Sequence, residues 1–201
     1  MRRISAAAIL VAVTEPAFAH HAMEGATPVT ALQGLISGLA HPILGLDHFA
    51  AVIAVGGLAA LARIGLRPVA GYVMFMMAGA ALHAAGFGLP AAEPSVALSV
   101  LVLGLVLADH RLRSAMILLT LFCATGFIHG YALGESIVGA EPAPLYAYFA
   151  GIAPIQFAVA FAAMHAAQWL ISSGRATTLR LAGAAIAGVG LALFVQAASG
   201  A

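Results

Sequence analysis

Long apolar stretches, separated by prolines, glycines and isolated charges, recur along the chain and predict six spans at 42–62, 68–89, 94–108, 112–131, 145–171 and 176–197. The third is short, because fifteen residues rise only ~22 Å against a hydrocarbon core of ~30 Å. It must extend at an end or sit where the bilayer is thinned. An apolar run at 29–40 comes before the first span, and its length suits a half-helix or an interfacial helix. The start of the chain reads differently. Arg2 and Arg3 precede about ten apolar residues, and Ala17-Phe18-Ala19 fits the small-residue rule for signal cleavage. The expected organisation is a signal peptide at 1–19 and one transmembrane domain at 20–201.

Composition narrows the function. Apolar residues make up 63% of the chain and charged residues 7%, too few polar groups to cover a soluble domain, so an all-α polytopic membrane protein is expected. The net charge of +1 comes from eight arginines, no lysine and seven acids, which leaves no basic tract for nucleic acid. A single cysteine excludes an intrachain disulfide and a cysteine-built metal cluster. Short loops leave no room for a nucleotide-binding or soluble catalytic domain. No His-Glu-x-x-His string and no phosphate-loop lysine occur, and no base is placed to activate Ser37 or Ser136, so no enzyme is expected.

The arginines set an orientation. Arg63 with Arg67, Arg111 with Arg113, and Arg175 with Arg180 fall between spans one and two, three and four, and five and six. The positive-inside rule makes those loops cytoplasmic, while Glu24, Glu93, Glu135 and Glu141 lie on the other side. Both mature termini are then expected outside, in a bacterial cytoplasmic membrane, which agrees with the signal. Gly34 with Gly38, Gly130 with Gly134, and Ala184 with Gly188 have the four-residue spacing that lets helices approach closely.

The candidate chemistry clusters near the outer face. A carboxylate inside a span costs about 3 kcal/mol on insertion scales, so Asp47 is expected to face the interior with a task. In His41-Pro42-Ile43-Leu44-Gly45-Leu46-Asp47-His48, Pro42 suits a first helical position, and seven residues of regular helix place His41 and His48 on one face. His83 and His129 approach the outer ends of spans two and four, with Glu135 just beyond. Imidazole and carboxylate together can hold Ni(II), Co(II), Zn(II) or Cu(II). His20 and His21, at the expected mature start, could collect metal. A second group, Asp109, His110 and His165 with Gln168, lies inward and could form an exit or proton relay. The structural alternatives are helix-to-helix hydrogen bonds for His83 and His129, a structural Asp47–His48 pair, a solvated Glu135, a salt bridge from Asp109 to an arginine, and a His165–Gln168 bond. The methionines and Cys123 read as packing.

The string His41-Pro42-x-x-Gly45-x-Asp47-His48-Phe49-Ala50-Ala51-Val52-x-x-Val55-Gly56 resembles the opening motif of the HupE/UreJ family of bacterial membrane proteins. Phe127-Ile128-His129-Gly130-Tyr131-Ala132-x-Gly134-Glu135 extends the resemblance, which covers the whole chain. That family usually has Met after the Ala where this chain has Ala51-Val52. The resemblance implies a permease for Ni(II), with Co(II) in some lineages and Zn(II) a lesser expectation, supplying hydrogenase or urease maturation. It implies no resident cofactor; a cytoplasmic metallochaperone is a conceivable partner, and oligomeric state is left open. The rivals are a membrane b-type cytochrome and a non-transporting metal sensor or chaperone-docking module. The arginine pattern makes the topology testable: a reporter active only outside should work after Gly139 and fail after Gly174, and activity after Gly174 would sink the six-span arrangement.

Overall fold

In the computed structural model, residues 26–109 and 114–199 are described. The expected signal peptide, His20, His21 and His110 lie outside them. The described residues form helices and no strand: α1 (Ala31–Leu44), α2 (Leu46–Ala62), α3 (Arg67–Ala84), α4 (Ala92–Asp109), α5 (Ala115–Gly134), a 3-10 turn at Glu135–Ile137, α6 (Pro142–Ser172) and α7 (Ala176–Ser199). Four of these, α4 to α7, are long and apolar enough to cross a membrane, and α1 with α2 makes a fifth if that bent pair is one span. The eighteen residues of α3 carry Arg67 at one end and His83 near the other, and α3 is not among the four.

Three boundaries differ from expectation for physical reasons. α1 begins at a capping box: Thr30 Oγ1 accepts from the Gln33 amide at 3.2 Å, and Gln33 Oε1 accepts from the Thr30 amide at 3.1 Å. It then runs through Pro42, which is internal, not a first-turn residue, and stops at Gly45, where α2 departs at 74°. The element at 29–40 is therefore longer than expected, and no regular helix joins His41 to His48. α3 ends at Ala84, short of 89, because Gly86 adopts φ +86 and turns the chain. α4 reaches both Ala92 and Asp109, which lengthens the short third span at each end.

Helix pairing rests on glycines. A Cβ at Gly126 or Gly130 of α5 would overlap the carbonyl oxygen of Tyr72 or Met76 on α3, so those helices touch backbone to backbone. Gly34 and Gly38 bring α1 equally close to Pro144 and Tyr148 of α6, and Gly56 brings α2 onto Ala160 of the same helix. The rising residue numbers on both partners show that α3 runs parallel to α5, and that α1 and α2 follow α6. On α7 the contact residues are Gly183 and Gly190, against α4 in antiparallel register, while Gly188 has open space around it and Ala184 is exposed. The expected Ala184–Gly188 stripe is thus off the contact face, by one residue at Ala184 and two at Gly188.

Tyr72, Tyr148 and Phe122 fill the interior, whereas Leu32, Met74, Leu105, Met116 and Leu191 face outward. Such an apolar exterior is what lipid contact requires. Gly130→Ala should force α3 and α5 apart and destabilise the protein by about 2 kcal/mol, as overpacking does. Gly188→Ala should be nearly neutral. Thermal unfolding in detergent checks both; equal stability of the two variants would show that the α3–α5 contact is not the close one described.

Candidate metal site

The bend at Gly45 builds the site. His41 closes α1, and its carbonyl accepts from the Gly45 amide at 2.9 Å. Asp47 and His48 open α2 immediately after the break, so a carboxylate sits in the first turn, where the helix dipole favours negative charge. Its Oδ1 accepts from the His48 amide at 2.7 Å. A Cβ on Gly45 would come within 2.9 Å of His48 Cδ2 and 3.1 Å of Asp47 Oδ1, so any larger residue would intrude on both side chains. The two histidine rings lie edge to face with centroids 5.7 Å apart. The break, rather than a shared helical face, brings them together.

His129 of α5 completes the cluster. Its ring is fully buried, 5.0 Å centroid to centroid from His48, with the two Nδ1 atoms 2.9 Å apart. Ser99 of α4 lies behind it: its Oγ is 2.7 Å from His129 Nε2 and 2.7 Å from the Val96 carbonyl. These contacts couple the tautomers. When the Ser99 hydroxyl donates to Val96, it accepts from His129 Nε2–H; His129 Nδ1 then accepts from His48 Nδ1–H, and His48 Nε2 carries a lone pair. That nitrogen is 3.9 Å from Asp47 Oδ2. If Ser99 instead turns its hydrogen to His129, every step reverses and His48 Nε2 carries a hydrogen. Ser99 therefore sets whether His48 Nε2 carries a lone pair or a hydrogen. Sequence reasoning passed over Ser99; the available signal was its four-residue spacing from Ser95 in an otherwise apolar span.

His41 is held on the opposite side. Its Nδ1 is 2.9 Å from Ser136 Oγ and 3.3 Å from Tyr148 Oη, and the Tyr148 hydroxyl donates to the Leu133 carbonyl at 2.6 Å. The structure thus gathers His41, Asp47, His48 and His129 through α1, α2 and α5, with hydroxyls from α4, α6 and the 3-10 turn orienting the rings. Second-layer hydrogen bonds of this kind fix ligand orientation.

Other expected residues stand apart from this cluster. His83 Nδ1 is 2.7 Å from the Tyr131 carbonyl, and its ring stacks on Tyr131 at 4.1 Å, so it makes the helix-to-helix contact. Tyr131 Oη in turn donates to the Phe87 carbonyl and accepts from the Leu89 amide, strapping the α3–α4 corner to α5. Glu135 is exposed at the start of the 3-10 turn. At the far end, Asp109 is exposed at the end of α4, and the exposed His165 places Nδ1 2.9 Å from Phe161 O of its own helix, not on Gln168. Cys123 lines an apolar groove with Phe75, Leu119 and Phe127.

Among the described residues, no three His, Cys, Asp or Glu side chains are set to close on a metal ion as they stand. The physical reason is the 2.9 Å contact, in which two imidazoles share a hydrogen where a bound ion would require both nitrogens to turn toward it. Ser99→Ala should weaken equilibrium Ni(II) or Co(II) binding by roughly 10–100-fold, as loss of an orienting partner does. Ser99→Thr, which keeps the hydroxyl, should restore it. Wild-type affinity in the alanine variant would show that the relay does not set the tautomer.

The family model for the HupE / UreJ protein matches residues 8–193. A curated relative, Protein HupE of Rhizobium leguminosarum bv. viciae, is 29% identical over 166 residues, which cover 81% of this chain and 85% of that protein. No solved structure matches. The chain belongs to the HupE/UreJ family.

Proposed function

We propose that this member of the HupE/UreJ family is a secondary permease for a divalent transition metal, Ni(II) first and Co(II) second, supplying the maturation of a hydrogenase or urease. The family is an accessory and transport family associated with those enzymes, and the apolar helices make the chain a membrane protein. The observation that carries the reading is the meeting of His41 and His129 on the ring of His48, which itself lies beside the Asp47 carboxylate at the α1–α2 break. Imidazole nitrogen selects nickel and cobalt over magnesium, which prefers oxygen and sheds its water slowly.

The ion meets the Asp47 charge first. Coordination at His48 Nε2 favours the tautomer in which Ser99 donates to Val96, so capture is coupled to a concerted hydrogen shift through His129. Because the site is not closed around the ion, binding stays weak enough for release. His20 and His21 act as an outer collecting element, Glu135 and His83 lie at the entrance, and Asp109 with His110 and His165 marks the inner exit. The bacterial cytoplasmic membrane, with both mature termini outside, is the location that suits this direction of travel.

The cytochrome alternative fits less well. Two axial nitrogens on a haem iron stand about 4 Å apart across the metal, given bonds of ~2.0 Å. His48 and His129 instead meet directly at 2.9 Å.

Asp47→Asn keeps the size and removes the charge. It should lower Ni(II) uptake into reconstituted vesicles by about 10-fold or more at limiting metal, in keeping with loss of a charged partner worth more than ~1.4 kcal/mol, while membrane insertion persists. Excess Mg(II) should leave wild-type uptake intact. Near-normal uptake by the variant, or strong block by Mg(II), would defeat an imidazole–carboxylate site.

A further inference from the structure

Two side chains in the interior carry polar atoms with no hydrogen-bond partner among the described residues. They are Gln156, both of whose amide atoms are orphaned, and Tyr72, whose hydroxyl is orphaned. Both residues are completely buried. A glutamine amide has four hydrogen-bonding positions and a phenol at least two, and leaving them all empty in a dry core is costly. Orphaned groups of this kind call for an occupant, and water or an ion is the usual one.

Their heights in the bundle coincide. Gly56 of α2 lies against Ala160 of α6, and the two helices run in parallel. Four residues back on each, Gln156 is therefore level with Val52, one turn along α2 from His48 and about 6 Å away along the axis. Gly126 of α5 lies against Tyr72 of α3. Tyr72 is therefore three residues before His129 along α5, again about one turn. The short Arg63–Leu66 turn reverses the chain between α2 and α3, so one turn forward from His48 and one turn back from His129 point the same way. Gln156 and Tyr72 both lie on the inner side of the histidines, on helices that pack against each other.

We infer that Gln156 and Tyr72 form a second, oxygen-lined station one helical turn beyond the histidines, which takes the divalent cation together with part of its hydration shell. The inference rests on the permease reading and adds a substrate subsite to it. The chemistry suits a transfer step. Glutamine Oε1 and the tyrosine oxygen can coordinate the ion or accept from its waters, and the amide hydrogens can donate to them. Neither group carries charge, and oxygen is a poorer partner than imidazole for Ni(II) or Co(II), so the ion passes from a tighter site to a looser one and is not trapped.

Gln156→Met and Tyr72→Phe, separately and together in the full chain, test the station. Both replacements keep shape and delete the orphaned atoms, so thermal stability should be unchanged or higher. Equilibrium Ni(II) binding at the outer site should stay at the wild-type value. The maximal rate of radioactive Ni(II) uptake into vesicles should fall about tenfold with the apparent KM little changed, the signature of an interaction made after capture. In detergent, a Co(II) titration of the wild-type protein should show a second, weaker step that the double variant lacks. A double variant that keeps the second step or the wild-type maximal rate overturns the station. So does one that loses stability and outer-site binding together, because the groups would then be structural. Wild-type vesicles that take up no Ni(II) overturn the permease reading instead, and the Co(II) titration then decides the station by itself.

Discussion

Everything in this bundle depends on how closely helix backbones approach one another. Lipid tails are as apolar as leucine, so burying leucine between helices brings little, and dispersion contact between backbones has to hold the pairs. Glycine supplies that contact between α3 and α5, between α1–α2 and α6, and between α4 and α7. In each pair, backbone atoms of one helix are seated against bare Cα atoms of the other, which fixes the register. The polar cluster lies at the seam where the three pairs meet: His129 comes from the first, His41 and His48 from the second and Ser99 from the third. A shift of one pair against another would separate the partners of the histidine chain before it disturbed the apolar core.

Much of this was legible beforehand, for reasons that differ by residue. Asp47 was conspicuous because a carboxylate in an apolar span is costly, and His129 because its neighbours form a recognisable string. The Gly45 break was not. Pro42 carried the stronger local signal for a helix start, yet a proline can sit inside a helix end when the following chain turns away, and the signal that fixed the true start lay upstream in Thr30 and Gln33. The proximity of His41 and His48 was therefore anticipated correctly from an incorrect geometry. His83 was harder still, since nothing in the chain says whether a histidine near a span end faces the site or stacks on Tyr131. Ser99, Gln156 and Tyr72 carry no charge and, apart from the spacing of Ser99 from Ser95, break no pattern, so tertiary packing is what reveals their surroundings.

The arrangement also separates two electrostatic tasks. Asp47 lies at a helix N-terminus, partly open to solvent, where the dipole favours a negative charge. The buried groups behind it, Ser99, Tyr72 and Gln156, carry no charge, and His129 with Ser99 can reverse its hydrogen bonds without creating one. A dry interior tolerates the second kind of group far better than the first. On the permease proposal, attraction of a cation falls to the rim, and its accommodation to polar atoms that carry no charge when the ion is elsewhere.

That neutrality has a consequence for the driving force. An ion that crosses the proposed path without a proton returning carries its full double charge across the bilayer. Each elementary charge carried through a potential of 100 mV is worth about 2.3 kcal/mol, so a divalent ion gains roughly 4.6 kcal/mol on entering a negative interior. At about 1.4 kcal/mol per tenfold, that voltage alone sustains an accumulation on the order of a thousandfold. For a permease of that kind, the membrane potential would by itself supply enough energy to scavenge a trace metal, without nucleotide hydrolysis or a pH gradient.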